Sequence, residues 1–199
     1  MPIARSRCRE VPVSATSSVS VAPRPIRMTF GAWAATVSLA AVITLVCAMR
    51  MASDPAVFAC CYFSAAGTVM SVMDIKVMRL PDFMTLPSYP VMLVALAWAS
   101  SQIGEARSLY RAAGAAAILL ALFGVLHLTA GVGLGDVKLV GLIGMLLGFQ
   151  GWTVVLRGLF LACMIAAGWA AAMRVQAHRD AHIPMGPALV AGTLLALVA

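Results

Sequence analysis

Charged residues are scarce in this sequence. Only 11% of its 199 residues are charged, and acidic side chains number seven. A soluble domain has about 25% charged and about 45–50% apolar residues, whereas 62% of this chain is hydrophobic. A chain of this length cannot hide so much apolar surface from water in its own core. The composition excludes an ordinary soluble domain and predicts one compact helical bundle in a membrane.

Metal-binding motifs are also missing. The five cysteines include no C-x-x-C pair, and the three histidines form no H-E-x-x-H pattern. We therefore expect no metal and no cofactor, and interpret the cysteines as small apolar packing residues. The net charge of +7 does not indicate nucleic-acid binding, because the basic residues are scattered beside apolar segments. In that position they act as topology signals.

Apolar stretches of nearly membrane-spanning length fill most of the chain. Residues 1–29 are predicted to be a basic disordered tail, and 30–199 a single transmembrane domain. The first stretch exceeds the 7–15 apolar residues of a signal peptide, which favours an uncleaved span. The fold prediction is an all-α polytopic bundle of about six to seven spans. Its apolar stretches are 30–49, 55–73, 84–103, 109–130, 137–150, 152–173 and 184–199.

The distribution of lysine and arginine predicts the orientation of these spans. With the N-terminus in the cytoplasm, ten basic residues fall on the cytoplasmic side and four on the other. Asp74 ends the second apolar stretch and Asp136 begins the fifth, so both are then cytoplasmic. We therefore expect a multi-pass protein of the inner (cytoplasmic) membrane with its N-terminus in the cytoplasm.

Asp74 and Asp136 differ from the other acidic residues because each adjoins a long apolar stretch. An ionisable group at membrane depth costs about 3 kcal/mol or more, and is a candidate for function. The alternative is that both are interfacial, with Lys76 and Lys138 as flanking anchors; position alone does not separate the two interpretations. The other acids are predicted to be solvated in the tail or in loops: Glu10, Asp54, Asp82, Glu105 and Asp180.

The local sequence favours a functional role for both aspartates. Gly133 and Gly135 permit close approach to Asp136, and Pro81 stops any helix continuing beyond Asp74. Two carboxylates on separate helices supply what peptide hydrolysis needs, because one activates water while the other donates a proton. Asp136 is near a helix N-terminus, which favours the anion, so it is predicted to be the ionised base. Asp74 is near a helix C-terminus, which disfavours the anion, so it is predicted to be the acid.

Three motifs resemble those of one protein family. The segment GLGDVKL at 133–139 resembles the G-x-G-D-V-K-L signature of the type IV prepilin peptidases, which are intramembrane aspartic proteases. The sequence DIK at 74–76, with Leu-Pro at 80–81, is similar to the first-aspartate motif of that family. IPMGP at 183–187 is similar to the P-F-G-P segment before its final helix. The matches follow the family's order across residues 55–199.

The resemblance implies that Asp74 and Asp136 are catalytic. It implies a prepilin or pseudopilin substrate with a short basic leader and an apolar helix, cleaved at the cytoplasmic face. Asp82 stands where the family often has asparagine, and Met185 where it has an aromatic residue. The C-x-x-C loop associated with N-methylation is missing, so we expect the short peptidase-only form of Flp-type or tight-adherence pilus systems. The predicted supporting residues are Gly133, Gly135, Lys138, Lys76 and Pro81, although the two lysines are more simply explained as positive-inside anchors.

Two other functions stay open on the sequence. Presenilin-like and signal-peptide-peptidase-like proteases also use G-x-G-D, but they carry tyrosine before the first aspartate, where this chain has Met73. A small non-catalytic transporter or pilus-assembly scaffold would use the aspartates as a proton relay. His127 is predicted to be satisfied by a backbone carbonyl rather than to act in catalysis. The expected partners are the pilin substrate and lipid, with no nucleic acid; no oligomeric state is predicted.

Overall fold

The computed structural model describes residues 30–77, 82–175 and 185–198, and these form seven α-helices without a strand. The all-α prediction is confirmed, and each apolar stretch forms one helix. The predicted tail at 1–29, with the chain division based on it, lies outside the described residues. The helices are α1 (Phe30–Arg50), α2 (Val57–Val77), α3 (Asp82–Ile103), α4 (Ala106–Ala130), α5 (Leu134–Gln150), α6 (Trp152–Val175) and α7 (Gly186–Val198).

The outer surface of the bundle is strongly apolar. Met49, Val94 and Leu128 each leave more than two-thirds of their surface exposed, on three different helices. Extensive exposed apolar surface marks contact with lipid or protein. Within the described ranges, three segments are long and apolar enough to cross a membrane: Val57–Ile75, Ala106–Ala130 and Trp152–Ala172. The chain is a membrane protein, and a total of six or seven spans stays a prediction.

Helix α5 forms the centre of the bundle. Every residue from Leu139 to Phe149 is buried, and the helix contacts α3, α4, α6 and α7. A helix that is apolar all round has no face for water and must be enclosed. Its 17 residues are fewer than the ~20 that usually span a bilayer. Enclosure by other helices explains how this short helix, which carries Asp136, is held in the membrane domain.

Glycines on α5 allow close packing of α5 against α4. A Cβ on Gly144 would lie 2.7 Å from Cα of Ala116, and one on Gly148 would lie 3.0 Å from Cα of Ala112. The backbones of α4 and α5 therefore meet directly where a side chain would separate them. Gly144 and Gly148 form a G-x-x-x-G pattern, in which glycines on one helix face allow close packing.

The Gly144→Ala variant is expected to unfold at a lower temperature than the wild type in detergent micelles. The added methyl group meets backbone atoms of Ala116, which cannot move aside, and overpacking of this kind costs about 1–3 kcal/mol. Gly124→Ala is the matched control, because nothing lies within 4 Å of its Cβ position on α4. Equal unfolding temperatures for the two variants would contradict the close α4–α5 contact.

The end of the bundle away from Asp136 is fastened by polar contacts. Arg111 donates from Nε to the carbonyl of Gly148 at 2.8 Å and also to the carbonyl of Phe149, so it caps the C-terminus of α5. Gln150 donates to Asp54 at 2.8 Å. Asp54 lies in the loop between α1 and α2, as predicted, but it is half-buried and accepts hydrogen bonds from Gln150 and from the N–H of Ala56, so the prediction that it is solvated was wrong. Asp82, also predicted in a loop, begins α3.

Candidate active site

Asp74 lies in the last turn of α2 and is only 7% exposed. Its Oδ2 accepts a hydrogen bond of 3.0 Å from the backbone N–H of Gly186, the first residue of α7. The first N–H groups of a helix have no partner within the helix, so a carboxylate is a natural acceptor for them. A Cβ on Gly186 would lie 2.7 Å from that oxygen. The contact therefore depends on glycine at this position.

Asp136 lies in the first turn of α5 and is 9% exposed. Gly133 is the N-cap, and its carbonyl accepts a hydrogen bond from the Asp136 N–H at 3.1 Å. A Cβ on Gly133 would lie 3.4 Å from Oδ2 of Asp136, so the carboxylate folds back over the helix N-terminus. An acidic residue three positions after the N-cap commonly occupies this place, where the helix dipole favours its anion.

The loop before Asp136 is held by the end of α4. Gly131 adopts the left-handed conformation, with φ of 70°, and its N–H donates to the carbonyl of His127. The Nδ1 of His127 is hydrogen-bonded to the carbonyl of Val132. The prediction that a backbone carbonyl satisfies His127 is confirmed. Gly131 and Gly133 are exposed, so the loop is reachable from outside while the carboxylate behind it is buried.

Helix α7 relates the two aspartates to each other. It contacts both α2 and α5, and Val190 lies against Gly67 on α2. One turn after Gly186, Leu189 shares a small cavity with Val140, which follows Asp136 by one turn. Since α5 and α7 both begin at this end and α2 finishes there, both aspartates lie at the same end of the bundle.

Helix α3 is hydrogen-bonded to both aspartate-bearing helices through adjacent residues. Tyr62 on α2 donates to the hydroxyl of Ser88 at 2.9 Å. Tyr89 donates to the carbonyl of Lys138 on α5 at 2.7 Å, two residues beyond Asp136. Sequence reasoning missed this link; the available signal was a tyrosine between two prolines of a strongly apolar helix.

The predicted supporting residues are only partly described. Gly135 and Lys138 are half-buried in the first turns of α5. The backbone of Lys76 belongs to the last turn of α2, while its side chain and the whole of Pro81 lie outside the described residues. Among the residues that the structure describes, no three His, Cys, Asp or Glu side chains group as metal ligands.

The hydrogen bond from Gly186 to Asp74 changes the argument for which aspartate is the acid and which is the base. Asp74 was assigned the acid role because α2 ends nearby, and a helix C-terminus disfavours an anion. Its carboxylate also accepts an N–H from the N-terminus of α7, which favours the anion. Both aspartates therefore adjoin a helix N-terminus, and helix ends no longer distinguish which one is ionised.

A comparison with known protein families gave a match. The model of the type IV leader peptidase family matches residues 61–171, more than half of the chain. The matched region includes Asp74, Asp136 and the glycine loop between α4 and α5. Searches of curated proteins and of solved structures gave no match. The chain thus belongs to the type IV leader peptidase family and is a peptidase of the membrane.

Proposed function

We propose that the chain is an aspartic endopeptidase in which Asp74 and Asp136 together activate water. The observation that carries this proposal is the pair of buried carboxylates at one end of the bundle, both within the family match. Burying a carboxylate in a membrane domain costs free energy, so buried carboxylates without a function are rare there. The loop of exposed glycines beside Asp136 leaves space for an extended peptide.

The proposed reaction needs no group beyond the two carboxylates and water. The ionised carboxylate takes a proton from water, whose oxygen attacks the carbonyl carbon of the peptide bond. The protonated carboxyl donates to the carbonyl oxygen, and a proton then passes to the leaving nitrogen as the C–N bond breaks. The products are a leader with a new carboxylate and a mature chain with a new amino terminus. The reaction starts with one carboxylate ionised and the other protonated, because two carboxylates brought close together do not both ionise easily.

The substrate we propose is a prepilin or pseudopilin of the Flp or tight-adherence type. Its basic leader would remain in the cytoplasm while its apolar helix lies in the membrane, so the bond between them is at the cytoplasmic face. The sequence supports this orientation, because a cytoplasmic N-terminus would put ten basic residues on the side of the aspartates and four on the other. The enzyme would be a multi-pass protein of the inner membrane.

Co-expression with candidate prepilins tests this function. In the presence of the wild-type chain, the pilin band is expected to shift to lower mass, and intact-mass measurement is expected to show loss of the leader. A scaffold or proton-relay role predicts instead that processing continues after Asp74→Asn or Asp136→Asn. Processing that is unaffected by both substitutions would contradict the aspartic mechanism.

A further inference from the structure

We propose that Tyr89 and His127 are positioning residues that fix Asp136 by holding the backbone on both sides of it. This inference rests on the proposed function, in which Asp136 has to meet water and peptide. The two side chains come from different helices, α3 and α4. Each is hydrogen-bonded to a backbone carbonyl of the segment 132–138.

On the N-terminal side, His127 holds the loop that leads into α5. Its partner is the carbonyl of Val132, four residues before Asp136. A carbonyl can only accept, so the bond requires the tautomer that carries hydrogen on Nδ1. Val132 stands between Gly131 and Gly133, and glycine gives a loop more backbone freedom than any other residue. The imidazole thus supplies the rigidity that the flanking glycines lack.

On the C-terminal side, Tyr89 holds the first turns of α5. Its hydroxyl donates to the carbonyl of Lys138 at 2.7 Å. The hydroxyl reaches this carbonyl because Gly141, one turn farther along α5, has no side chain; a Cβ there would overlap the hydroxyl oxygen. The fit of Tyr89 into the gap at Gly141 therefore fixes α3 against the part of α5 that carries Asp136.

The turn of α3 that presents Tyr89 contains two prolines and is stabilised by a side-chain hydrogen bond. Pro87 and Pro90 flank Ser88 and Tyr89, and each proline removes one backbone donor from the helix. Ser88 donates to the carbonyl of Met84 at 2.7 Å, and this bond within α3 holds the proline-containing turn. Tyr89 is therefore presented to α5 from a turn that is held within its own helix.

The hydrogen bonds of Tyr89 and His127 together form a clamp on the backbone around Asp136, and catalysis explains why such a clamp is useful. A general acid or base must lie within about 2.6–3.2 Å of the proton that it transfers. Displacement of a reacting group by about 1 Å can lower the rate by about 10²-fold. Removing one of the two hydrogen bonds leaves the other in place. We therefore expect about a tenfold fall in kcat for Tyr89→Phe, with KM unchanged because the clamp acts on the catalytic group.

The substitutions at His127 include a conservative rescue. His127→Leu removes the donor and is expected to lower kcat about tenfold, as for Tyr89→Phe. His127→Asn places an amide N–H near the position of Nδ1 and is expected to keep most of the wild-type kcat. Equal losses for leucine and asparagine would mean that His127 contributes packing alone, and would overturn its positioning role.

Tyr62→Phe is the matched control for Tyr89→Phe. It removes the same kind of interhelical hydroxyl bond from a half-buried tyrosine, but its bond ends on Ser88 and does not touch the segment around Asp136. Its kcat is expected to equal that of the wild type. Wild-type kcat for Tyr89→Phe, or equal losses of kcat in Tyr89→Phe and Tyr62→Phe, would overturn the proposal.

Hydrogen–deuterium exchange of the full-length chain in nanodiscs gives a readout independent of cleavage. Amides of residues 131–138 are expected to exchange faster in Tyr89→Phe and His127→Leu than in the wild type, and at the wild-type rate in Tyr62→Phe. Unchanged exchange in the first two variants would refute the clamp even if they cleave slowly. If the wild type cleaves no prepilin, the proposed function fails, while the exchange data still decide whether the clamp exists.

Discussion

Asp74→Asn and Asp136→Asn are each expected to lower kcat for leader cleavage by about 10³-fold while the bundle stays folded. General acid–base catalysis by one positioned side chain contributes about 10²–10⁴-fold, and both aspartates are assigned such a role. Asparagine has nearly the same volume but neither accepts a proton from water nor donates one as an acid. Its amide oxygen can still accept the N–H of Gly186, so the fold around position 74 is preserved.

Cleavage by the purified variants in proteoliposomes, followed by intact-mass measurement, checks this expectation. Glu105→Gln is the control for loss of one carboxylate, because Glu105 is exposed at the start of α4 and makes no capping bond. Its kcat is expected to match the wild type. If either asparagine variant cleaved at more than about a tenth of the wild-type rate, that aspartate would not be acting in acid–base catalysis.

Gly186→Ala is expected to lower kcat by about 10²-fold. The new Cβ would lie 2.7 Å from Oδ2 of Asp74 and 3.2 Å from its Cγ, so the carboxylate has to move away. A shift of about 1 Å in a catalytic group has an effect of this size. The N–H of residue 186 remains after the substitution, so the change tests the close approach rather than the donor itself. Single-turnover rates with a saturating prepilin measure the effect.

Gly168→Ala provides the matched control for Gly186→Ala. Gly168 lies within α6 and has nothing within 4 Å of its Cβ position. Alanine there is expected to leave kcat unchanged and to stabilise the helix by up to about 1 kcal/mol. A wild-type rate for Gly186→Ala would show that Asp74 is not held by the start of α7.

Much of the fold could be predicted from the sequence because lipid imposes simple rules. An apolar stretch long enough to span a bilayer becomes a helix, since its backbone groups must be satisfied internally. The predicted stretches 137–150 and 152–173 are separated at Gly151, and the structure ends α5 at Gln150 and begins α6 at Trp152. The spacing of Gly144 and Gly148 is also typical of close helix packing, because glycines four residues apart share a helix face.

The fixing of the site could not be predicted, because it depends on residues far apart in the chain. The bond from Gly186 to Asp74 joins residues 112 positions apart, and Tyr89 reaches a carbonyl 49 positions away. Only the packing of α7 on α2, and of α3 on α5, brings these groups together. Helix ends do not assign the acid role to Asp74 for the same reason, since the neighbouring N-terminus belongs to another helix.

The rate of the Asp74→Asn/Asp136→Asn double variant tests most directly whether the two carboxylates form one catalytic unit. Residues that act as a unit show grossly non-additive effects, because either loss alone already disables the reaction. Single-turnover cleavage of a prepilin in proteoliposomes is expected to be as slow in the double variant as in each single variant. Losses that multiply, so that the double variant falls by the product of the two single effects, would contradict a shared mechanism for Asp74 and Asp136.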